Sequence, residues 1–589
     1  MGHAGAGANK VPWRTCVGWR AQIRRYRVGY RAHWRRVAGL AACVLPALAL
    51  AQSVVPPAST EAGRLRERFD PPAARAPASA LPAFKAGLRD EVPAALRAVR
   101  VTLHTVVLEN TTVFSVDDIS ALTAPYLGRE ITGTEIFELA QSLTAHYRNA
   151  GYILTRVVVP PQTLGADGRL VLQVIEGYIA SVRVEGDARV LDTLFTLAQK
   201  IKDSRPLRAQ DLERYLLLAN DLPGVRLRSI LSPSQTVGAV DLTLVATVQD
   251  SEGFASVDNY GSRYLGANQA TLGFTANQLF GVNDQLRYIG VGSGDSRMSY
   301  HQLGYTQVVN DEGLRLGMSV SQARTQPGDI LRPFDVRGRS DTVSFTLAYP
   351  WVRTRNRSLF ARLSWDSSDI DTDILGSRTT EDRIRALRGG LGWQWFDAWD
   401  GQNTLDLDAS QGVGGTSASD PLKSRVGADG MFTKLTLDVA RFQPLGGRWG
   451  VAMGLAGQWT DNKPLLASEQ FALGGRRFGR AYEAAELVGD RGLALRVEPR
   501  YALASGSSWL QATHLLAFYD IGEVTKVGPQ TAGTLASQSL ASAGIGARLY
   551  MARQVTAQVE AAWPLTRPLA SAPDGGKAMR LLGSMTVRF

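Results

Sequence analysis

Cysteine is nearly absent from this 589-residue chain, and its two cysteines, Cys16 and Cys43, both lie close to the N-terminus. The rest of the chain can therefore form neither a disulfide nor a thiolate metal site. Histidine is also scarce, with six residues in all, and the sequence contains no His-Glu-x-x-His or Gly-x-Ser-x-Gly motif. We therefore expect no catalytic residue, no metal and no cofactor, in a protein that is not an enzyme.

Acidic residues are missing from the first 36 positions, which hold nine lysines and arginines. The apolar run from Val37 to Ala51 follows, and this order is typical of a signal peptide. Because a spanning helix needs about 20 apolar residues, we predict cleavage after Ala51 rather than anchoring. Either the leader is extended or translation begins downstream of Met1. Without the leader's nine positive charges, the formal +11 falls to near +2, so we expect no nucleic-acid partner.

Long apolar runs are absent from the remainder, so a secreted chain that enters a membrane must do so as a closed β-barrel. From Ser251 onward apolar and polar residues alternate, as in Leu359 to Asp366, Thr404 to Ser410 and Val555 to Trp563. Such alternation suits strands with one face on lipid and the other on a wet lumen. The stretch 251–589 holds about 16 strands if each strand and its connection take roughly 21 residues. A series of soluble β-sandwiches is the alternative.

The last nine residues form one such alternating segment. Leu581, Met585, Val587 and the terminal Phe589 share one face of it. An aromatic residue on the lipid side suits a strand that closes a barrel. We predict that Phe589 belongs to the closing strand.

Residues 52–98 are rich in alanine and proline, which favours a linker rather than a packed domain. One short helix is predicted near 59–70, where Leu65 and Phe69 lie four residues apart and arginines occupy the remaining face. From composition alone the preferred interpretation is a solvated linker helix.

Residues 99–250 mix helical and alternating patterns and predict two α+β modules, 99–179 and 180–250. In the first, a capping box at Thr132 begins a helix that runs to Tyr147, and a strand is predicted over Tyr152–Val159. In the second, a helix begins near Asp211 and ends at Pro223-Gly224, before a strand over Val240–Val248. The predicted organisation is thus a leader (1–51), a helix and linker (52–98), the two modules, and a barrel (251–589).

Several ordered motifs resemble the polypeptide-transport-associated (POTRA) domains and first barrel strand of two-partner-secretion transporters, the ShlB/FhaC/HecB family. The resemblance covers about Val99 to Phe589. It rests on the segments Gly151–Gln162, Gly168–Gly177, Leu212–Gly224 and Asp258–Ser262. The POTRA positions that it implies are Tyr152, Pro160, Pro161, Gln162, Glu176, Gly177, Glu213, Arg214, Pro223 and Gly224.

Two later motifs resemble ones shared with the wider BamA-like superfamily. Arg480-Ala481-Tyr482 resembles the tip of a long extracellular hairpin that folds back into the lumen. Phe518-Tyr519-Asp520 resembles the inner-wall strand that holds this hairpin, which implies a pairing of Arg480 with Asp520. Ala481 stands where the family usually has glycine, and because alanine tolerates positive φ poorly, we expect the turn to lose backbone freedom.

The resemblance implies a transmembrane barrel of about 16 antiparallel strands in the outer membrane of a Gram-negative bacterium, with two POTRA domains in the periplasm. It implies a translocator that recognises an unfolded, secreted haemolysin- or adhesin-like partner and exports it, with activation of that partner left open. Outer-membrane lipid and the barrel-assembly machinery are the other expected partners. A general barrel-assembly factor and, less favoured, a passive porin are the alternatives. The family also has a lumen-plugging helix, for which 59–70 is the candidate.

Overall fold

The computed structural model describes residues 56–69, 97–165, 167–414, 420–504, 507–528, 535–552, 554–569 and 576–589. The predicted leader lies outside the described residues, as does most of the 52–98 segment. Within the described part of the chain, no helix is long and apolar enough to cross a bilayer.

The N-terminal described segment is a compact run of short helical turns. Two 3-10 turns, Ala58–Thr60 and Ala62–Arg64, lead into helix α1, Leu65–Phe69. Leu65 is 2% exposed, so one face of this segment is packed against other parts of the protein.

The first module places one long helix on a small sheet. Its elements are β1 Arg100–Thr102, β2 Thr105–Glu109, α2 Ser120–Thr123, β3 Glu130–Thr132, α3 Gly133–Asn149, β4 Arg156–Val158 and β5 Arg169–Ile175. The three-stranded sheet has the order β2-β5-β4, with β2 parallel to β5. The predicted capping box is confirmed, because Thr132 and Glu135 each accept a backbone hydrogen bond from the other residue. Ile136, Leu139 and Leu143 on α3 are fully buried over the sheet.

The strand predicted over Tyr152–Val159 is wrong in its first half. Only Arg156–Val158 pairs with β5, whereas Thr155 closes a turn onto the carbonyl of Tyr152. Ile153 and Leu154 pack instead against the core of the second module. Contacts between the modules therefore decide the conformation that the local pattern assigned to a strand.

The second module repeats the same arrangement. Its elements are β6 Tyr178–Gly186, α4 Leu191–Asp203, α5 Ala209–Asn220, β7 Val225–Pro233 and β8 Ala239–Val248. The sheet order is β6-β8-β7, with β6 parallel and β7 antiparallel to β8. The helix and the strand predicted in this module are both present.

The rest of the chain forms a closed antiparallel barrel of 16 strands, which confirms the predicted fold class. A separate hairpin, β20 with β21, interrupts the ladder between β19 and β22. In chain order the strands are β9 Ser251–Asp258, β10 Gln269–Asn277, β11 Asp284–Ser293, β12 Met298–Val308, β13 Arg315–Thr325, β14 Arg337–Arg353, β15 Arg357–Ile374, β16 Ser377–Phe396, β17 Gln402–Gly412, β18 Thr433–Gly446, β19 Trp449–Thr460, β20 Phe471–Leu473, β21 Leu487–Gly489, β22 Arg491–Ala504, β23 Leu510–Thr525, β24 Ser537–Met551, β25 Val555–Pro564 and β26 Arg580–Arg588.

The alternation in sequence corresponds to the two faces of the barrel wall. On β15, Leu363 is 46% exposed on the outer face, whereas Asp366 is 4% exposed and points inward. The outer face meets lipid and the inner face meets the lumen. The barrel closes where β26 pairs with β9, from Ser584 opposite Asp258 to Arg588 opposite Phe254.

Candidate functional site: the barrel lumen

The loop between β20 and β21 folds against the inner wall, and Arg480 is its main point of attachment. The guanidinium donates to both carboxylate oxygens of Asp520 on β23, from Nε and Nη2 at 3.1 Å each. Its Nη1 donates to Glu498 on β22 at 2.7 Å and to Glu560 on β25 at 2.9 Å. The implied contact of Arg480 with Asp520 is present, and the sequence analysis missed the other two carboxylates as partners of Arg480.

This cluster is closed to water. The side chains of Arg480 and Glu498 are each 3% exposed, and those of Asp520 and Glu560 are 0% exposed. Burial alone would lower the pKa of the Arg480 guanidinium, but the three carboxylates outweigh it and hold that pKa above its ordinary value. Removing one partner from a buried ion pair costs about 3–5 kcal/mol because an uncompensated charge remains. The cluster therefore fixes the hairpin loop to three wall strands.

The Phe-x-Asp motif holds the loop by its backbone as well as by its side chain. The N–H groups of Gly479 and Arg480 both donate to Oδ2 of Asp520 at 3.2 Å. The ring of Phe518 lies under the guanidinium, with its centroid 3.5 Å from Cζ. A planar cation stacked on an aromatic ring and held by a carboxylate fork has little orientational freedom.

The expected effect of Ala481 on the turn does not arise. Ala481 is fully buried and lies outside the positive-φ region, whereas Gly479 takes up the left-handed conformation at φ +82°. The glycine two residues earlier therefore supplies the freedom that the family position was expected to need. The neighbouring Tyr482 hydroxyl accepts a hydrogen bond from the N–H of Arg567 at 3.1 Å, so it ties the loop to the chain beyond β25.

The base of the hairpin is held by Asp490, between β21 and β22. This fully buried carboxylate accepts the N–H of Leu465 at 2.7 Å and the N–H of Val527 at 2.6 Å. It also pairs with Arg425, which donates to the carbonyl of Leu465 at 2.8 Å. Asp490 thus joins three extracellular connections at one point, and this role was not predicted.

The N-terminal segment also lies in the lumen, so the interpretation of 59–70 as a solvated linker helix is wrong for its described part. Arg66 on α1 pairs with Asp366 at 3.2 Å. Arg68 donates to the carbonyl of Tyr260 at 2.9 Å and to Oε1 of Gln269 at 2.8 Å. These partners belong to the wall or to the chain just beyond β9, so α1 occupies part of the pore.

Arg64 and an apolar face of the N-terminal segment form its remaining contacts in the lumen. Arg64 donates to the carbonyl of Gln470 at 3.0 Å and to that of Ala467. Leu65 packs in one buried cluster with Ile289 and Tyr300 of the inner wall. Local composition could not predict this environment, because a short arginine-rich helix has the same pattern whether water or a polar lumen surrounds it.

The seam between the first and last strands carries two of the predicted elements. The side chain of Asn259 bridges to β26, donating to the carbonyl of Leu581 at 2.9 Å and accepting the N–H of Gly583 at 2.8 Å. At the other end, Phe589 and Gly253 exchange both backbone hydrogen bonds at 2.8 and 2.9 Å. Phe589 therefore directly follows the closing strand β26 and continues its pairing with β9.

The motif residues of the first module form contacts within that module and with the second module, and they do not lie in the lumen. The Gln162 side chain pairs with the backbone of Val171 on β5 through hydrogen bonds of 2.7 and 2.9 Å, directly after Pro160 and Pro161. Glu176 accepts the N–H of Thr112 at 2.7 Å. Two further motif residues lie where the modules meet: the Gly177 carbonyl accepts the N–H of Leu207, and Arg208 lies over the Tyr152 ring.

The motif residues of the second module contact the periplasmic turns of the barrel. Glu213 accepts the N–H of Arg355 at 2.6 Å, and Arg214 donates to Glu312 at 2.9 Å. The carbonyl of Pro223 accepts a hydrogen bond from Gln278 at 3.0 Å. Gly224, at φ +72°, packs so close to the first strands that a Cβ would lie 2.5 Å from the carbonyl oxygen of Gln249.

A buried ion pair that the sequence did not indicate reinforces this junction. Arg353 on β14 donates to both oxygens of Asp221 at 2.7 and 2.8 Å, and both side chains are at most 6% exposed. Glu312 also accepts hydrogen bonds from Lys200 and Tyr215 at 3.2 and 3.0 Å. Single charges in turns have no periodicity, so only the fold brings them together.

Comparison with known proteins identifies relatives of both parts of the chain. A family model described as "Haemolysin secretion/activation protein ShlB/FhaC/HecB" matches residues 239–549. A second, "POTRA domain, ShlB-type", matches residues 101–177. Together they cover the first module, the end of the second and most of the barrel.

Individual relatives match over most of their length. The chain is 23% identical to the heme/hemopexin transporter protein HuxB of Haemophilus influenzae (strain 86-028NP) over 77% of this chain and 82% of HuxB. It is 26% identical to the outer membrane transporter CdiB of Dickeya dadantii (strain 3937) over 82% of this chain and 86% of CdiB. The solved structure of CdiB from Escherichia coli shares the fold, with a TM-score of 0.69 and 20% identity over 85% of this chain and 92% of that one.

Proposed function

The chain belongs to the ShlB/FhaC/HecB family of haemolysin secretion/activation proteins, and on this premise we propose that it exports one unfolded partner protein through its barrel. The observation that carries the proposal is the content of the lumen. A hairpin is fixed there by a buried charge cluster, and a second, N-terminal segment is held separately. A passive porin requires neither element, nor a pair of modules fixed to the periplasmic side.

The cargo that we propose is a secreted, haemolysin- or adhesin-like protein. Two relatives of the present chain support a secreted partner. HuxB is named a heme/hemopexin transporter, and CdiB is named an outer membrane transporter. The modules offer edge strands for its capture, since β7 pairs only with β8 in its sheet and Ile230 on β7 is 42% exposed. An extended client can add to such an edge through main-chain hydrogen bonds.

We propose that α1 leaves its seat during export while the hairpin stays. No nucleotide-binding motif accompanies the modules, so the energy for net movement comes from folding of the partner outside the cell, where the folded product can no longer re-enter the pore. No catalytic step is required. Outer-membrane lipid around the wall, and the barrel-assembly machinery during insertion, are the remaining proposed partners, with no role for nucleic acid.

The test is a comparison of secreted proteins from the native bacterium with and without this gene. We expect one large secreted protein to disappear from the medium on deletion and to return with the wild-type gene, while the other outer-membrane barrels keep their abundance. An unchanged set of secreted proteins would refute the proposal. General depletion of outer-membrane barrels would identify an assembly factor instead.

A further inference from the structure

Beside α1 the lumen contains a chamber of about 1110 Å³, which we call the lumen chamber. It is lined by residues 64–65 and 67–69, the hairpin loop at 474–478, and the inner faces of β9, β10, β11, β24, β25 and β26. Small-molecule pockets range from about 300 to 1,000 Å³, so this chamber is large enough for a stretch of polypeptide.

The charged lining of the lumen chamber is strongly one-sided. Among the described residues, its lining contains two carboxylates, those of Glu67 and Asp258, and seven arginines. Besides Arg64, these are Arg68, Arg287, Arg476, Arg477, Arg548 and Arg588. A confined, low-dielectric space lined by one sign of charge concentrates ligands of the opposite sign.

Arg64 and Arg477 pair with the carboxylates of Glu61 and Asp438, which lie outside the lining. Arg68 and Arg476 instead contact neutral groups, so their charge remains in the chamber. Arg68 donates to a backbone carbonyl and to Gln269. Arg476 lies 5.3 Å from the centroid of the Tyr260 ring. Arg548 donates to Gln558 at 3.0 Å, and its ion pair with Glu498 is a long one of 4.0 Å.

The titration of Arg68 reflects the same surroundings. Burial lowers the pKa of Arg68 to about 10, the positive charge of Arg580 acts in the same direction, and Asp258 opposes both. On the opposite wall, the carboxylate of Asp366 pairs with two guanidinium groups, those of Arg66 and Arg388.

The lumen chamber reaches the end of the barrel where the modules deliver a client. Arg548 lies three residues before the end of β24, and Arg588 is the last residue of β26. These strand ends are beside the start of β9, which follows β8 of the second module directly. A segment passed from the modules into the barrel meets these arginines first.

The geometry points to a binding site for an acidic, extended polypeptide segment in the lumen chamber, which we propose receives the carboxylate-bearing part of the exported partner. This inference rests on the proposed function and specifies the chemistry of its substrate. Guanidinium groups bind carboxylates through paired hydrogen bonds, and several arginines spread along a chamber can engage carboxylates in many sequence contexts.

Binding is tested on the purified full-length mature protein with fluorescein-labelled oligo-L-glutamate, followed by anisotropy at low and high salt. We expect salt-sensitive binding of oligo-L-glutamate and none of oligo-L-lysine. The double variant Arg548→Gln/Arg588→Gln should bind about tenfold more weakly, whereas Arg548→Lys/Arg588→Lys should retain most of the binding. Arg324→Gln, which removes an exposed arginine of β13, is the matched control outside the lumen.

Ion selectivity in planar bilayers gives a second measurement on the unaltered chain. Under a KCl gradient the reversal potential should show a preference for chloride, and oligo-L-glutamate should block the current. A preference for potassium, or equal binding of oligo-L-lysine, would overturn the inference even if deletion of the gene abolishes secretion. Binding of oligo-L-glutamate with no change in secreted proteins would instead refute export and leave the acidic-ligand site standing.

Discussion

Two elements occupy the lumen, and arginine attaches both of them, but the partners differ. Arg480 in the hairpin loop meets the carboxylates of three different strands, all buried. In the N-terminal segment, Arg64 and Arg68 donate mainly to carbonyl and amide oxygens. Arg66 pairs with Asp366 at 3.2 Å, and Asp366 also pairs with Arg388 of the wall.

The difference separates a permanent attachment from a releasable one. Withdrawing Arg480 would leave the buried carboxylates of Asp520 and Glu560 without their counter-charge, which is costly in a site closed to water, whereas Glu498 keeps Arg500 at 2.7 Å. Withdrawing α1 leaves Asp366 still paired with Arg388 at 2.7 Å and returns neutral acceptors to water. Asp366 therefore keeps a counter-charge without the N-terminal segment, whereas Asp520 and Glu560 lose theirs without the hairpin loop.

The largest effect is expected for Arg480→Ala. The barrel ladder should still form, because none of its strand pairs depends on this side chain, but the free energy of unfolding should fall by about 3–5 kcal/mol. Export should fall strongly, since the loop is no longer fixed. Thermal unfolding of the purified barrel and quantitation of secreted protein measure the two effects. Arg324→Ala, at an exposed arginine of β13, is the control. Full export by Arg480→Ala would refute the proposed role of the hairpin loop in export.

A smaller effect is expected when the three arginines of the N-terminal segment are replaced together, as Arg64→Ala/Arg66→Ala/Arg68→Ala. Losing about 1 kcal/mol for each set of hydrogen bonds should shift the docking equilibrium of α1 about a hundredfold toward release. Single-channel conductance should rise while the thermal stability of the barrel changes little. Arg324→Ala, at an exposed arginine of β13 outside the lumen, should conduct as the wild type does. Unfolding of the barrel in the triple variant would mean that α1 is structural.

The sequence predicted the barrel well because lipid enforces a period of two on every strand. The alternation in β15 and in the closing strand follows from that constraint. The number of strands follows instead from the length of the segment, at roughly 21 residues for each strand and its connection. The capping box at Thr132 was predictable for a similar reason, since the motif is complete within four residues.

What the sequence could not predict depends on contacts between distant residues. Glu498 and Glu560 look like any inward-facing polar positions, and only the closed barrel brings them to Arg480. The segment Tyr152–Thr155 has the pattern of a strand but packs against the second module. The position of α1 depends on the wall around it, which its own composition does not encode.

A pH dependence should distinguish the two lumen elements further. Glu61, beside Arg64, is largely buried, and burial raises its pKa to about 7, with Asp382 adding to the rise and Arg64 opposing it. After release the carboxyl returns toward its ordinary value of 4.5. Docking is therefore strongest below the lower pKa, weakens as pH rises between the two values, and is constant above about 7.

The docking equilibrium of α1 in the wild type should accordingly shift about seventyfold toward release, and channel opening should become correspondingly more frequent, between pH 5 and pH 8. Glu61→Gln cannot ionise and should show a nearly flat profile over this range. Bilayer recordings of both proteins at matched ionic strength make the comparison, and an equally steep profile in Glu61→Gln would assign the dependence to another group.

The smallest effect is expected for Ala481→Gly, which places the usual family residue in the hairpin loop. Because Ala481 is buried and lies outside the positive-φ region, glycine relieves no strain there and adds conformational freedom to the unfolded chain. The free energy of unfolding should therefore fall by about 0.5–1 kcal/mol, with export unchanged. Gly479→Ala is the informative counterpart, because that residue has φ +82° and a Cβ there would lie 2.6 Å from a methyl carbon of Leu540. If Ala481→Gly stabilises the barrel and Gly479→Ala is neutral, the left-handed position of the turn has been assigned to the wrong residue.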